Sequence, residues 1–266
     1  MLATVIVDKY RASETGRIEA ALEGLCSPED NYGWSSSGIY CFWDVQSKEV
    51  LYVGLAVDLP LRFRQHNGLA SCPDASCKRE RVAEYFGARL ELGYSVMVQS
   101  VHSQGICTRW NLSRPEVLAW ITEEFGYLDE AETKRVMNRE VDATMRRMES
   151  AMLQVHMDRR GRLPQWNRIR GVDRGFSEGV LTNARHFLDS LTLSHAGPDP
   201  FLARVTLSGL QDCATYQRFE EVLHGGRITV LGRGGSVLEG VESLPGGRTA
   251  LAQMQAEGYF SRRPRW

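Results

Sequence analysis

The sequence predicts an α+β fold, a three-stranded antiparallel sheet flanked by helices, and three observations carry that expectation. Two short runs rich in β-branched and aromatic residues, 38–45 (GIYCFWDV) and 50–54 (VLYVG), are joined by the polar link Gln46-Ser47-Lys48-Glu49, which suits a hairpin turn. Just beyond them Asp58-Leu59-Pro60 has the form of a helix start. Asp58 is a good N-cap, proline is tolerated in a first turn, and Leu59 and Phe63 would lean back onto the sheet. Far downstream, Met137, Val141, Met145, Met148, Met152 and Val155 recur at three- and four-residue steps. They predict a long helix that opens at Glu130 behind an Asp129 cap and runs to about Met157.

The remaining elements follow in chain order. Residues 1–37 read as an N-terminal extension with a short strand over 4–8 and a helix over 14–25 that places Ile18, Ala21, Leu22 and Leu25 on one face. Residues 38–171 read as the core, interrupted by an insertion over about 67–140. Within that insertion 94–101 (YSVMVQSV) is expected as the third core strand, and Ser113-Arg114-Pro115-Glu116 opens a helix to about Phe125 with a capping box. Residues 172–266 are numerous enough for a C-terminal α+β module. It would begin with an amphipathic helix over 177–191, where Val180, Leu181, Ala184, Phe187, Leu188 and Leu191 share a face. A second helix over 216–223 and a strand over 227–231 follow.

Composition narrows the class. With 266 residues, 42% hydrophobic and 24% charged, the chain can bury a substantial core and is not expected to be disordered. No stretch approaches eighteen consecutive apolar residues, and Met1 to Tyr10 lacks the basic start and long apolar run of a signal peptide, so the expectation is a cytoplasmic protein with no membrane partner. The six cysteines, Cys26, Cys41, Cys72, Cys77, Cys107 and Cys213, read as reduced thiols. Cys72 and Cys77 form no tight Cys-x-x-Cys pair, so their segment reads as an exposed loop rather than a zinc site. A net charge of −1 is not the footprint of an indiscriminate nucleic-acid binder, and any DNA affinity must come from local patches. The best patch joins Arg146, Arg147, Arg159, Arg160, Arg162, Arg168 and Arg170, with Arg64 beside the hairpin as a further candidate. Arginine suits this task because its planar fork donates paired hydrogen bonds to phosphate.

Polar residues sit at fixed offsets within the hairpin and the helix after it. Tyr40 and Tyr52 lie on the two strands, Arg62 falls ten residues after Tyr52, and His66 follows four residues later on the same helix face. Downstream, Glu149 lies midway between Met145 and Leu153 at four-residue spacing, so its carboxylate borders the apolar face of the long helix, an unusual place for a free glutamate. Leu163-Pro164-Gln165-Trp166-Asn167 then forms a turn that ends in an asparagine. Taken singly, each has an ordinary reading: half-buried strand tyrosines, a solvated helix face, and a Glu149 paired with Arg146.

Taken together, Gly38-Ile39-Tyr40, Tyr52-Val53-Gly54, Arg62, His66, Glu149 and Asn167 resemble the motifs of the GIY-YIG nuclease superfamily. The resemblance implies a GIY-YIG core and a DNA endonuclease that hydrolyses phosphodiester bonds with one Mg²⁺ (or Mn²⁺) held by Glu149. It implies that Tyr40 deprotonates or orients the attacking water, with help from Tyr52 or His66, that Arg62 stabilises charge in the transition state, and that Asn167 braces the arrangement. Glu123 and Glu124 are rival metal ligands on a segment without a family counterpart. One departure stands out: Leu55 occupies the position after Tyr-Val-Gly where the family often has lysine. A restriction, homing or phage-defence nuclease, with the C-terminal module choosing the DNA, is the first expectation. A structure-directed repair nuclease and a non-catalytic nucleic-acid-binding module are the alternatives, and monomer and homodimer both stay open.

Overall fold

Strand β2 (Gly38–Asp44) is buried along its whole length, and its alternating side chains divide the protein into two layers. Ile39, Cys41 and Trp43 face one core, while Tyr40 and Phe42 face an aromatic cluster on the other side. The computed structural model describes residues 3–26, 38–56, 58–72, 77–98, 130–192 and 202–205, with 248, 249, 252 and 256 as single positions. Strand β1 (Ala3–Tyr10) leads into a short 3₁₀ turn (Ala12–Glu14) and helix α1 (Thr15–Cys26). After β2 come β3 (Val50–Ala56), α2 (Leu59–His66), α3 (Arg79–Ala88) and β4 (Leu92–Val98). The 31-residue helix α4 (Glu130–Arg160), α5 (Glu178–Leu191) and β5 (Leu202–Val205) complete the described order.

The sheet is larger than the sequence predicts. Its strand order is β3-β2-β4-β1-β5, four antiparallel strands with β5 added parallel to β1. The expected three strands are β2, β3 and β4, so the correction concerns β1, which pairs with β4 from Thr4 opposite Val98 to Tyr10 opposite Leu92. The strand of the N-terminal segment is therefore built into the sheet. Tyr10 is buried at its end, where its hydroxyl donates to Asn67 Oδ1 at 2.9 Å and its ring meets Phe63 and Phe86.

Helices α4 and α5 cover the face that carries Ile39, Cys41 and Trp43. Ala151, Met152, Leu153 and Val155 of α4 and Ala184, Phe187, Leu188 and Leu191 of α5 share one hydrophobic cluster with Val7, Val53 and Met97 of the sheet. Ser95 ties the layers together: Trp43 Nε1 donates to its hydroxyl, which donates to the Leu191 carbonyl. The amphipathic face read for 177–191 is thus part of the main core, and β5 beyond it extends the same sheet. Replacing Phe187 by alanine should cost about 3–5 kcal/mol, measured as a shift of the whole denaturation curve. A second, separate transition would instead mark α5 as an independent unit.

Cys72 and Cys77 are joined by a disulfide with Cα atoms 6.0 Å apart, which corrects the reading of reduced thiols for this pair and occupies both sulfurs. Cys41 is free and buried. Among the described residues no helix is long and apolar enough to cross a membrane. The expected helices over 113–125 and 216–223, the strand over 227–231, Glu123, Glu124, Cys107 and Cys213 lie outside the described residues.

Candidate active site

The site begins with two glycines that let the strands approach. At Gly38 a Cβ would stand 2.5 Å from the Met97 carbonyl oxygen across the ladder, and at Gly54 it would stand 2.6 Å from the Tyr52 ring and 2.8 Å from the Tyr40 ring. Tyr40 lies opposite Gly54 and Tyr52 opposite Phe42, so both tyrosines project from one face, with ring centroids 5.7 Å apart. The space above Gly54 is what their phenol ends fill. Gly54→Ala should therefore displace both rings, destabilise the fold by roughly 1–3 kcal/mol through overpacking, and show as a lowered denaturation midpoint. An unchanged midpoint would mean that the rings have room to move aside.

Helix α2 delivers the next two residues. Asp58 caps it by accepting from the Leu61 amide at 2.8 Å, with Pro60 in the first turn, as the sequence predicts. The cap fixes the helix so that His66, four residues after Arg62, lies under the tyrosines at 0% exposure; a solvated face is excluded for it. Its Nε2 lies 2.6 Å from the Tyr40 hydroxyl, and its Nδ1 accepts the main-chain N–H of Lys78 at 3.0 Å. An imidazole that accepts at Nδ1 carries its proton on Nε2, so His66 donates to the Tyr40 oxygen. That hydrogen bond favours the phenolate. Burial nevertheless dominates and holds the Tyr40 phenol well above its ordinary value, with Tyr52 adding to the rise and Arg62 opposing it.

The second half of the site arrives from α4 and the turn after it. Trp166 donates its amide to the Leu51 carbonyl at 2.8 Å, while Asn167 pairs with Val53 on both sides of its carboxamide: Nδ2 donates to the Val53 carbonyl at 2.8 Å and Oδ1 accepts its amide at 3.0 Å. The turn thus imitates a further strand along β3, next to Gly54. Trp166 anchors it beneath Phe42 and Tyr85. Asn167 thus clamps the turn to β3 through both ends of its carboxamide.

These elements enclose a cavity of about 550 Å³. Tyr40, Tyr52, Arg62, Glu149 and Asn167 all line it, together with Lys78, Arg146, Arg168 and Arg170. Five of the six residues singled out from the sequence therefore meet around one space, and the sixth, His66, stands behind Tyr40. Glu149 is half-buried, and burial pushes its carboxyl up to about 7 although Arg146 pulls it down. Among the described lining residues the other charged side chains are the cations Arg62, Lys78, Arg146, Arg168 and Arg170, and the rest of the wall, with Leu55, Leu153, Ile169 and Val172, supplies the desolvation that favours the protonated carboxyl.

The arginines divide. Arg146, Arg168 and Arg170 line the cavity. Arg159 is ion-paired with Asp189 of α5, Arg162 with Glu49 of the hairpin turn, and Arg64 with Glu19 of α1 at 3.6 Å. Arg160 is exposed near the end of α4. Sequence proximity could not separate these, because each pairing uses a carboxylate at least thirty residues away. Lys78 is the site residue that the sequence did not single out. It precedes α3, a helix inside the expected insertion over about 67–140.

Comparison with known protein families, characterised proteins and solved structures finds no match to this chain.

Proposed function

We propose that the protein is a metal-dependent DNA endonuclease of the GIY-YIG type that hydrolyses phosphodiester bonds in the Tyr40–Glu149 cavity. The observation that supports this reading best is the convergence of Tyr40, Tyr52, Arg62, Glu149 and Asn167 on one cavity from four separated stretches of chain. A hydrolase for a phosphodiester needs a group to take or orient the attacking water, a cation for the phosphoryl oxygens and a holder for a divalent ion. Tyr40 with its His66 hydrogen bond suits the first role, Arg62 the second and Glu149 the third.

Among the described residues Glu149 has no second carboxylate or histidine ligand beside it in the cavity, so a single Mg²⁺ or Mn²⁺ would rely on it together with waters and phosphate oxygens, a ligand set that Mg²⁺ commonly takes. Glu149 would hold it, and when bound it would supply positive charge next to the scissile phosphate. The chain's own residues do the rest. Arg62 lies close enough to Tyr40 to favour the phenolate, and from the cavity wall it would hold a phosphoryl oxygen. Tyr52 closes the cavity floor at 8% exposure, and Asn167 keeps β3 and the α4 turn in register.

A carboxyl with its pKa near 7 makes metal affinity depend on pH. Below 7 a proton competes for Glu149, so the Mg²⁺ concentration giving half-maximal cleavage should fall about tenfold between pH 6 and pH 8. A requirement independent of pH over this range would show that the Glu149 carboxyl does not titrate there, and loss of the requirement in Glu149→Gln would be needed to assign the ligand.

The substrate class is tested by incubating the purified protein with supercoiled plasmid and with branched DNA, with Mg²⁺, Mn²⁺ or EDTA. Metal-dependent cuts at fixed plasmid positions are the expected result for a restriction or homing enzyme. Cutting confined to branched DNA would favour a structure-directed repair nuclease, and binding without cutting would favour a non-catalytic module.

A further inference from the structure

A second cavity of about 590 Å³ adjoins the first, and Lys78 and Arg168 belong to the walls of both. Its other walls include Arg79, Gln165 and Trp166, and among the described residues its lining sets Lys78, Arg79, Arg81 and Arg168 against Glu80 and Glu84, with Arg81 paired with Glu84 at 3.1 Å. The two cavities lie back to back on these two residues, with the lysine at the seam.

Lys78 is unusual in this position. It is only 7% exposed, and lysine is rarely buried to that extent because removing an ammonium from water is costly. Its Nζ lies over the face of Tyr52, 4.7 Å from the ring centroid, where the ring's negative face offsets part of that cost. Its main-chain N–H is fixed on His66 Nδ1, so the residue cannot drift from the site without breaking the link behind Tyr40. On the strand side, β3 offers the cavity only the aliphatic Leu55 beyond Gly54.

We propose that Lys78 is a phosphate-binding residue of the DNA site: its ammonium, seated against Tyr52, holds a backbone phosphate next to the one cut, so that the strand continues from the first cavity into the second. This rests on the reading of the first cavity as a DNA phosphodiesterase site. An ammonium suits the role because it contacts phosphate as a compact charge and needs no fixed fork geometry. The ring behind it limits its freedom before DNA arrives, which lowers the ordering cost of the contact.

The test compares wild type, Lys78→Met and Lys78→Arg for binding to duplex DNA in EDTA over a range of salt concentrations. Removing one phosphate contact should reduce the magnitude of the slope of log K against log salt by about 0.9. Lys78→Met should show that reduction, and Lys78→Arg should restore the wild-type slope. A methionine variant that folds, binds and keeps the full slope would overturn the proposal.

A buried lysine is also a folding risk when replaced, so the wild-type protein with ¹³C-labelled lysine supplies a second measurement. The Lys78 ε-CH₂ signal should move on addition of DNA, and a stationary Lys78 signal while DNA is demonstrably bound would overturn the proposal without any substitution. If wild type neither binds nor cuts DNA, the reading of the whole site fails and this role with it. If wild type cuts and Lys78 is indifferent, only the role of Lys78 fails.

Discussion

Glu149→Gln should abolish metal-dependent cleavage and, at pH 8, yield a protein more stable than the wild type. The first effect follows from deleting the one carboxylate that the described residues place on the cavity wall. The second follows from linkage. Burial raises the folded-state pKa of Glu149 from 4.5 to about 7, so the folded protein binds more protons than the unfolded chain between those values. Stability is therefore lost as pH rises from about 4.5 to 7, and above 7 the charged side chain costs on the order of 3 kcal/mol. Glutamine keeps the shape and does not titrate. Thermal melting at pH 8 should show the variant several degrees higher, with the difference vanishing below pH 4.5. A Glu149→Gln variant that still nicks DNA with Mg²⁺ would move the metal elsewhere, with Glu123 and Glu124 the first candidates.

Tyr40→Phe and Arg62→Ala should each lower the single-turnover rate at saturating Mg²⁺ by at least ~10²-fold, with a smaller effect on DNA binding. Phenylalanine fills the same space above Gly54 but offers no oxygen to His66 Nε2 or to water. Arg62 is the cation that opposes the burial of the Tyr40 phenol. A base whose pKa is held well above its ordinary value is scarce in its ionised form at neutral pH, so the wild-type rate should keep rising with pH through about 9. Tyr40→Phe should lose that rise. If both variants cut at the wild-type rate, the hairpin tyrosines are structural.

The local parts of the fold were readable because each announces itself within a few residues. The hairpin turn, the Asp58 cap and the three- and four-residue repeat of α4 are short-range signals, and α4 starts at Glu130 as the spacing predicts. Strand β1 was legible as a strand but not as an interior one, because its partners Leu92–Val98 lie more than eighty residues away and nothing local specifies them. The same limit applies to 177–191, whose spacing predicts an amphipathic helix but not the sheet face against which it packs. A hydrophobic face shows that something covers it and does not show what.

The candidate site was legible for a similar reason. Tyr40, Tyr52, Arg62 and His66 are fixed relative to each other by strand pairing and one helical turn, so their offsets carry geometric meaning. Glu149 was betrayed by a carboxylate beside an apolar stripe. Lys78 had no comparable signal: it enters the site through a main-chain hydrogen bond and a ring contact, neither of which leaves a trace in residue spacing.

The decisive measurement is single-turnover cleavage of one labelled DNA by wild type, Tyr40→Phe, Glu149→Gln and the double variant, side by side in Mg²⁺. Groups that act as one unit are strongly non-additive. Wild type should cut, each single variant should be severely impaired, and the double variant should be no slower than the worse single one. Cleavage by the single variants at the wild-type rate, or no metal-dependent cleavage by wild type on any DNA, would contradict the assignment of this cavity as a nuclease site.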